Sequence, residues 1–364
     1  MLNDKGIRIL FIIPYLSGGG AERVVSIWAS KLVEMGFAVD ILVFFRVENE
    51  YKVSEKVTIH SMAESKKSYK KINPLKKIIL IRSFIKKADP KFVLPFVTYV
   101  GIATNLARIG LRVKLIESIR NNPWEVPNKR KDRIKRNISA FFSNACIVQN
   151  SEQRNYFPKY IQRKMVVIPN PISSELKINK KVYSENKIKK IVTIGRLETQ
   201  KNQKLLIEAF SNIALKKKDI ILQIYGEGSL YKELECLINK LNMKDRVILC
   251  GRTSDVIAAL SDADLFVLSS NYEGMPNALM EAMAIGLPCI STNCPTGPSD
   301  LINNGYDGIL IEVGNKSALE NQILDLIENP DKGIVLGKRA RENIIHNFNI
   351  DVSTNKLKRL FMNF

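Results

Sequence analysis

The stretch "IRILFIIPYLSGGGAERVVSIWASKLVEMG", residues 7–36, decides the fold of this chain. It opens on an apolar run rich in Ile and Phe, which is typical of a buried strand. No small-residue cleavage site follows that run, so we do not interpret it as a signal peptide. Glycines then interrupt the pattern, and residues 21–36 read as a helix that Gly36 ends. The stretch predicts a strand, a glycine turn and a helix.

The same alternation continues along the chain, first in weaker strands such as "AVDILVFF" and "KFVLPFV", then more regularly from "KKIVTIGR" to "DGILIEV". Strands separated by helices favour parallel, doubly wound sheets. A Pro-Asn-Pro turn ends the strand in "MVVIPNPIS", residues 165–173, and marks a natural boundary. We therefore predict an α/β protein with two Rossmann-like domains, residues 1–167 and 168–345. Ligands are expected in the cleft at the carboxyl ends of both sheets.

The composition argues against a disordered, a fibrous or a membrane-spanning protein. The chain has 364 residues, of which 45% are hydrophobic and 25% charged, as in ordinary soluble globular proteins. No stretch approaches about 18 consecutive apolar residues, so we expect no spanning helix. The five cysteines show no metal-ligand spacing, and there are only two histidines. We therefore expect no metal site and a reducing, cytoplasmic compartment.

The net charge of +20 is concentrated in the first half of the chain. Residues 1–165 carry 31 Lys and Arg against 13 Asp and Glu, whereas residues 166–364 carry 25 against 23. Both halves share the same richness in Lys, Asn and Ile, so compositional bias alone does not explain the difference. The asymmetry indicates a phosphate-bearing partner, which could be a membrane surface, a nucleic acid or a phosphorylated substrate.

Two loops that follow strands carry residues suited to phosphates. In "SGGGAER", residues 17–23, glycines before a helix would let the backbone approach an anion, although a mere tight turn is the alternative. In "GRLETQKN", residues 195–202, Arg196 and Lys201 lie near a helix N-terminus and could bind a diphosphate. The alternative is a pair of solvated surface cations.

A third loop, "YEGMPNALMEAMAIG", contains two glutamates eight positions apart. Pro276 and Asn277 stand where a helix should begin, and Gly286 stands where it should end. Glu273 would then lie in the loop, and Glu281 about one turn inside the helix. Both carboxylates could face the cleft, or they could be a capping group and a solvated helix face.

These three loops together resemble, in order and spacing, the retaining glycosyltransferases of family 4. The resemblance covers nearly the whole chain, including "VIPNPI" and "DADLFVLSS", and it is greatest to bacterial enzymes that extend capsule, O-antigen or lipid-linked oligosaccharides. It implies the GT-B fold, two Rossmann-like domains across a cleft. It also implies that residues 346–364 return as a helix to the first domain, packing through a face for which we suggest Phe348, Val352, Leu357 and Leu360.

The resemblance also implies roles for residues of the three loops. Arg196 and Lys201 would bind the diphosphate of a nucleotide-sugar donor, and Glu281 its ribose. Glu273 would contact the donor sugar near the reacting carbon, which makes Glu273, Arg196 and Lys201 the expected catalytic residues. The donor site would also include the backbone around the loops, at Gly19, Gly20, Gly274, Met275, Pro276, Asn277 and Ala278.

The chain departs from the family at one place. Many relatives have a histidine near the donor sugar, but the corresponding segment here, "IESIRNNPWEVP", contains none. Arg120 or Asn121 would stand in for it, acting on the leaving phosphate or on the acceptor.

The implied reaction is transfer of a hexose or N-acetylhexosamine from a UDP-sugar, with retention, to a polyprenyl-diphosphate-linked glycan. No Asp-x-Asp motif follows a strand, because "DAD", residues 262–264, precedes one, and we therefore expect no metal cofactor. A transferase with a soluble acceptor and a sugar-nucleotide epimerase remain nearer alternatives. A nucleic-acid-binding protein is a remote one, because no nucleic-acid motif is present.

The basic segment "KRKDRIKR", residues 129–136, is the predicted contact with anionic lipid headgroups and the acceptor diphosphate. Lys129, Arg130, Arg133 and Arg136 are the residues assigned to it, with Trp124 nearby. The alternative is a solvated helix face. The protein is thus expected at the inner face of the cytoplasmic membrane, without a membrane span.

Overall fold

The computed structural model describes residues 6–178, 187–253 and 255–364. The chain divides into two compact units, Met1–Pro171 with Ile350–Phe364 and Ile172–Asn349. Each unit contains a parallel sheet between helices. Within the described ranges, no helix is both long and apolar enough to span a bilayer.

The first unit follows the predicted alternation of strands and helices. Its sheet has seven strands in the order β3-β2-β1-β4-β5-β6-β7. The elements are β1 (Arg8–Ile13), α1 (Gly20–Glu34), β2 (Ala38–Phe45), β3 (Thr58–Ala63), α2 (Lys66–Lys71), α3 (Pro74–Ala88), β4 (Phe92–Pro95), α4 (Thr98–Ala107), β5 (Lys114–Ser118), α5 (Arg130–Phe142), β6 (Ala145–Val148), α6 (Ser151–Asn155), α7 (Lys159–Gln162) and β7 (Met165–Val167).

Strand β1 lies in the middle of this sheet, between β2 and β4. Its side chains alternate between two apolar clusters, one containing Phe11 and the other Leu10 and Ile12. Both faces of the strand are therefore covered, which explains why its sequence is a continuous apolar run and not an alternating one. Helix α1 ends at Glu34, and its C-cap is Met35, where the sequence suggests Gly36; Gly36 follows in the left-handed conformation at φ 93°.

The second unit has a six-stranded sheet in the order β10-β9-β8-β11-β12-β13. The elements are α8 (Glu175–Ile178), β8 (Lys190–Ile194), α9 (Gln203–Lys216), β9 (Ile221–Tyr225), α10 (Tyr231–Lys240), β10 (Val247–Gly251), α11 (Val256–Ser261), β11 (Leu265–Leu268), α12 (Asn277–Ile285), β12 (Cys289–Thr292), α13 (Pro298–Leu301), β13 (Ile309–Ile311), α14 (Lys316–Glu328) and α15 (Pro330–Asn347).

The strand order reverses between β8 and β11, which are paired neighbours. After β8 the chain builds outward through β9 and β10, and it then crosses back to β11 and continues through β12 and β13 in the other direction. This reversal is a topological switch point, where the loops at the carboxyl ends of both strands leave a crevice. The loops that follow β8 and β11 contain Arg196, Lys201 and Glu273.

The last helix, α16 (Ile350–Met362), belongs to the first unit, and Leu357, Leu360 and Phe361 lie in that unit's core. The ring of Phe361 stacks on Phe92 of β4 at 4.7 Å. Phe348, which the sequence placed on the same face, packs instead in the second unit. Val352 is only half-buried.

Along the chain, the boundaries between the units fall at positions 171/172 and 349/350, a few residues after the predicted boundaries at 167/168 and 345/346. Two hydrogen bonds explain the difference. The Ser353 hydroxyl of α16 donates to the carbonyl of Pro169 at 2.9 Å, which keeps the start of the turn with the first unit. The N–H of Ile172 donates to the carbonyl of Phe348 at 3.0 Å, which ties both ends of the second unit together.

Candidate functional site

The site in the second unit is built on two loops that leave the switch point side by side. The carboxylate of Glu273 is buried, with 4% of the residue exposed. It accepts a hydrogen bond from the ammonium of Lys201 at 2.5 Å and one from the hydroxyl of Ser270 at 2.6 Å. The Gln200 amide lies 3.5 Å from its other oxygen. Glu273, predicted to contact the donor sugar, and Lys201, predicted to bind the diphosphate, are thus joined in one ion pair.

Further hydrogen bonds fix the two loops against each other. The Gln200 amide donates to the carbonyl of Tyr272 at 3.0 Å, and the Asn271 N–H donates to the carbonyl of Gln200 at 2.8 Å. The hydroxyl of Ser269 lies 3.0 Å from the carbonyl oxygens of both Lys201 and Asn202. Sequence reasoning missed these polar residues, although they lie within the quoted loops or directly before them. They make the ion pair a preorganised group.

Arg196 is the exposed cation of this site. Its guanidinium lies 3.4 Å from the side-chain oxygen of Gln200, while Lys201 is mostly buried, with a side-chain exposure of 16%. The backbone at Arg196 is held by the glycines after β9. A Cβ atom added to Gly226 would lie 1.9 Å from the carbonyl oxygen of Gly195, so no larger residue fits without displacing the loop. This close approach explains a glycine in "YGEG" that the sequence did not assign.

Helix α12 begins and ends as the sequence predicts. Pro276 is its N-cap, and Gly286 is its C-cap in the left-handed conformation at φ 97°. Glu281 lies in the second turn and is buried, with 5% exposed. The N-terminus of α12 follows directly after the loop of Glu273, and the dipole at this end of a helix favours an anion.

A third loop lies against the one that carries Glu273. The hydroxyl of Thr296 donates to the carbonyl of Glu273. A Cβ atom on Gly297 would come within 2.8 Å of the carbonyl oxygen of Gly274. The "CPTGPSD" segment, residues 294–300, therefore supports the backbone at residues 274–276, which the sequence assigned to the donor.

The glycine loop of the first unit leads into α1 with Gly18 at φ 79° and Gly19 as the N-cap. A Cβ atom on Gly19 would lie 2.1 Å from a carboxylate oxygen of Glu22, in the first turn of the helix. Glu22 was not singled out from the sequence. An anion placed at Gly19 and Gly20 would have to share this space with the carboxylate or displace it.

Arg120 follows β5 and has an unusual environment. Its guanidinium carbon lies 4.5 Å from the ring centre of Trp28 and 4.8 Å from that of Phe96. The guanidinium donates to Asn170 at 3.0 Å and to Ser118 at 2.5 Å. Burial lowers the pKa of Arg120 to about 9, so the group still carries its charge at neutral pH.

One terminal nitrogen of Arg120, Nη2, is buried without a hydrogen-bond partner in the part of the chain that the structure describes. A buried donor left unpaired costs free energy, and a bound anion would satisfy it. Asn121, the second residue assigned to this place, uses its side-chain oxygen to accept the N–H of Asn122 at 2.8 Å. It shapes the local turn.

The basic segment requires one correction. Arg136, predicted to face lipid phosphates, is buried, with 1% exposed. Its guanidinium donates to the carbonyls of Pro123 and Val126 at 2.9 and 2.7 Å and lies 4.7 Å from the ring centre of Tyr156. The prediction was wrong because Arg136 lies on the inward face of α5, where it supports the loop before the helix.

The other three assigned cations differ in exposure. Lys129 and Arg130 are exposed at the start of α5. Arg133 is half-buried and donates to the carbonyl of Trp124. Lys131 and Lys135 are also exposed, although the sequence argument did not assign them.

Residues 175–343 match the family described as "Glycosyl transferases group 1", and this range spans nearly all of the second unit. The second unit is thus similar to group 1 glycosyltransferase domains over nearly its whole length. The chain is accordingly a glycosyltransferase, as the residues of the three loops indicated.

Two similar proteins match over most of the chain. One is the "GalNAc-alpha-(1->4)-GalNAc-alpha-(1->3)-diNAcBac-PP-undecaprenol alpha-1,4-N-acetyl-D-galactosaminyltransferase" of Campylobacter jejuni, 29% identical over 89% of this chain and 90% of the relative. The other is the "UDP-Gal:alpha-D-GlcNAc-diphosphoundecaprenol alpha-1,3-galactosyltransferase" of Escherichia coli, 29% identical over 80% of each chain.

Among solved structures, the fold matches a mutant of S. aureus TarM in complex with Fondaparinux, alpha-GlcNAc-glycerol and UDP. The TM-score is 0.81 at 18% sequence identity, and the match covers 98% of this glycosyltransferase and 99% of that chain. The predicted GT-B fold is therefore confirmed.

Proposed function

We propose that this glycosyltransferase moves a hexose or N-acetylhexosamine from a UDP-sugar, with retention, to a hydroxyl of a polyprenyl-diphosphate-linked glycan. The observation that carries the proposal is the buried Lys201–Glu273 pair at the switch point, with Arg196 exposed beside it. Galactose, N-acetylgalactosamine and glucose are the best candidates for the sugar. The relatives named as undecaprenol-linked α-glycosyltransferases support the acceptor class.

The donor's diphosphate would bind between Arg196 and Lys201. An ammonium has three N–H donors, and Glu273 takes one of those of Lys201, so two are left for phosphate oxygens. The guanidinium of Arg196 can add a bidentate contact. Glu281 would hold the ribose from the second turn of α12, and the backbone from Gly274 to Ala278 would line the pocket.

In the transfer step, the bond between the anomeric carbon and the diphosphate oxygen breaks, and a bond to the acceptor oxygen forms on the same face. Negative charge grows on the departing diphosphate, where Arg196 and Lys201 stabilise it. The departing phosphate takes the acceptor proton, so no side-chain base is required. Glu273 contacts the sugar and keeps Lys201 in place.

We further propose that the first unit binds the acceptor and that the reaction needs no metal. The cations at the phosphates take the place of a divalent ion in this scheme. The unpaired nitrogen of Arg120 is the group we assign to an acceptor or leaving phosphate. The protein would work at the inner face of the cytoplasmic membrane, in the synthesis of a surface polysaccharide or glycan.

A donor screen with purified protein tests the proposal. Several UDP-, GDP- and dTDP-sugars are supplied with and without a polyprenyl-diphosphate-linked acceptor, in buffer with EDTA. We expect UDP release that requires one UDP-sugar and a glycan product that keeps the anomeric configuration of the donor.

Arg196→Ala should lower kcat/KM by an amount equivalent to about 2–4 kcal/mol. The exposed arginine Arg252 supplies the matched control, Arg252→Ala, which should leave the rate unchanged. Interconversion of the donor sugar without transfer would indicate an epimerase, and activity restored only by a divalent ion would overturn the metal-independent scheme.

A further inference from the structure

Helix α5 of the first unit turns its polar side inward. Its buried residues are Arg136, Ser139 and Ala140, and the Ser139 hydroxyl donates to the buried carboxyl group of Glu117 at 2.6 Å. A surface helix ordinarily places its apolar stripe against the core. Here the core takes the polar groups, so packing within the unit does not explain the apolar residues of the helix.

Those apolar residues point to solvent. Ile134, Ile138, Phe141 and Phe142 have 52%, 51%, 51% and 61% of their surface exposed. Ile138 follows Ile134 by four residues, Phe141 follows Ile138 by three, and Phe142 is next to Phe141. At the helical period these four side chains share one side of α5. The ring of Tyr160 in α7, itself 59% exposed, lies 5.8 Å from that of Phe141 and extends the surface. We call these five residues the α5 face.

Exposed cations flank the residues of the α5 face along α5 and α7. Arg130, Lys131 and Lys135 are exposed on the first turns of the helix, and Lys159 and Arg163 are exposed beside Tyr160. The sequence of α5 contains a single acidic residue, Asp132, and Lys135 pairs with it at 3.2 Å. The surface thus has an apolar centre and a basic rim.

We propose that the α5 face inserts into the boundary between the headgroups and acyl chains of an anionic bilayer. The apolar side chains would enter this boundary, and the rim cations would contact lipid phosphates. An apolar face with Lys and Arg at its border, lying in the plane of the membrane, is the pattern of interfacial helices. The inference deepens the proposed function, since it supplies the surface that brings the enzyme to a lipid-linked acceptor.

Charge favours a bilayer over a second copy of the chain. In a symmetric dimer the α5 face would meet itself, and the basic rims would be placed against each other. The cytoplasmic leaflet carries a negative potential that attracts the same cations. The apolar centre gains from leaving water in either case, so the rim decides between the two occupants.

The test replaces the four helix residues by serine, in Ile134→Ser, Ile138→Ser, Phe141→Ser and Phe142→Ser together. The matched control is Leu215→Ser with Val335→Ser in the second unit, where the exposed fractions are 75% and 45%. Flotation with phosphatidylcholine vesicles containing phosphatidylglycerol measures partitioning at low and high salt. Each lost side chain should weaken binding at least about threefold, so the quadruple variant should bind at least about 80-fold more weakly and the control as wild type.

A second measurement follows insertion directly. In a Trp124→Phe background, Phe142→Trp should be quenched by brominated acyl chains, since the remaining Trp28 is fully buried. This readout keeps the proposal testable if the serine variant is unstable. Quenching by headgroup labels alone would overturn it.

Two other results would also overturn the proposal. One is vesicle binding by the serine variant within threefold of wild type, which would mean that the cations act alone. The other is a wild-type dimer in light scattering that the serine changes dissociate without lipid, which would make the α5 face an interface between copies.

Failure of the proposed function has a different signature. The serine variant should transfer sugar to a short-chain, water-soluble acceptor at the wild-type rate and lose transfer only to vesicle-embedded acceptor. Suppose that neither the wild-type protein nor the serine variant transfers sugar, while the serine changes still abolish vesicle binding. The catalytic assignment then fails, and the α5 face remains assigned to the membrane.

Discussion

Removing Lys201 should destabilise the second unit and not the first. At 2.5 Å and an effective dielectric constant of about 20, the attraction between Lys201 and Glu273 is about 7 kcal/mol before desolvation is subtracted. Lys201→Met would leave the buried carboxylate with the hydroxyl of Ser270 and the more distant amide of Gln200. Breaking a buried pair from one side costs about 3–5 kcal/mol.

The second change, Glu273→Gln, should recover part of that loss. A neutral amide is cheaper to bury than an unpaired carboxylate, and Ser270 can still donate to its oxygen. We therefore expect the double variant to be more stable than Lys201→Met alone, with a coupling free energy of at least about 2 kcal/mol.

The assay uses a feature of the composition. Both tryptophans, Trp28 and Trp124, lie in the first unit, so fluorescence during urea unfolding follows that unit and serves as the internal control. Hydrogen exchange of peptides from β8 and α12 follows the second unit. Protection should fall there while the fluorescence midpoint stays unchanged. A loss below about 1 kcal/mol in the second unit, or additive effects of the two changes, would refute the reasoning.

Other predictions concern binding, packing and pH. Glu281→Ala should mainly raise the KM for the donor, whereas Glu273→Ala should mainly lower kcat, as initial-rate kinetics at varied donor concentration would show. Arg136→Ala should lower the stability of the first unit by about 3 kcal/mol in urea titrations followed by fluorescence, whereas the exposed Arg130→Ala should cost less than about 0.5 kcal/mol. Burial raises the pKa of Glu117 from 4.5 to about 7, so the native state holds a proton that the unfolded state releases, and stability should fall as pH rises between these values. Glu117→Gln should remove this fall, and identical pH profiles for the variant and the wild type would contradict it.

The buried arginines show the limit of sequence reasoning. Arg136 belongs to a run of six cations in which nothing marks one as different. It is buried because the loop at residues 123–126 and the ring of Tyr156 meet the same side of α5. Arg120 was selected by resemblance, but its place between Trp28 and Phe96 follows from three separate elements coming together.

The glutamates show the opposite case. The two ends of α12 are set by Pro276, Asn277 and Gly286, through backbone constraints that act within a few residues. The positions of Glu273 before the helix and Glu281 inside it could therefore be read from the sequence. Their separate roles stay predictions.

The sequence by itself determined the helices and strands of this protein. The backbone conformations that glycine and proline allow, and the spacing of apolar residues along the chain, are local properties. The alternation of apolar strands with helices also specified parallel sheets. Tertiary structure alone decided the ion pair between Lys201 and Glu273, which are 72 positions apart and meet only because β8 and β11 are neighbours. It likewise decided that α5 buries Arg136 and exposes Phe141, since which side of a helix faces the core depends on the groups that the rest of the fold presents to it.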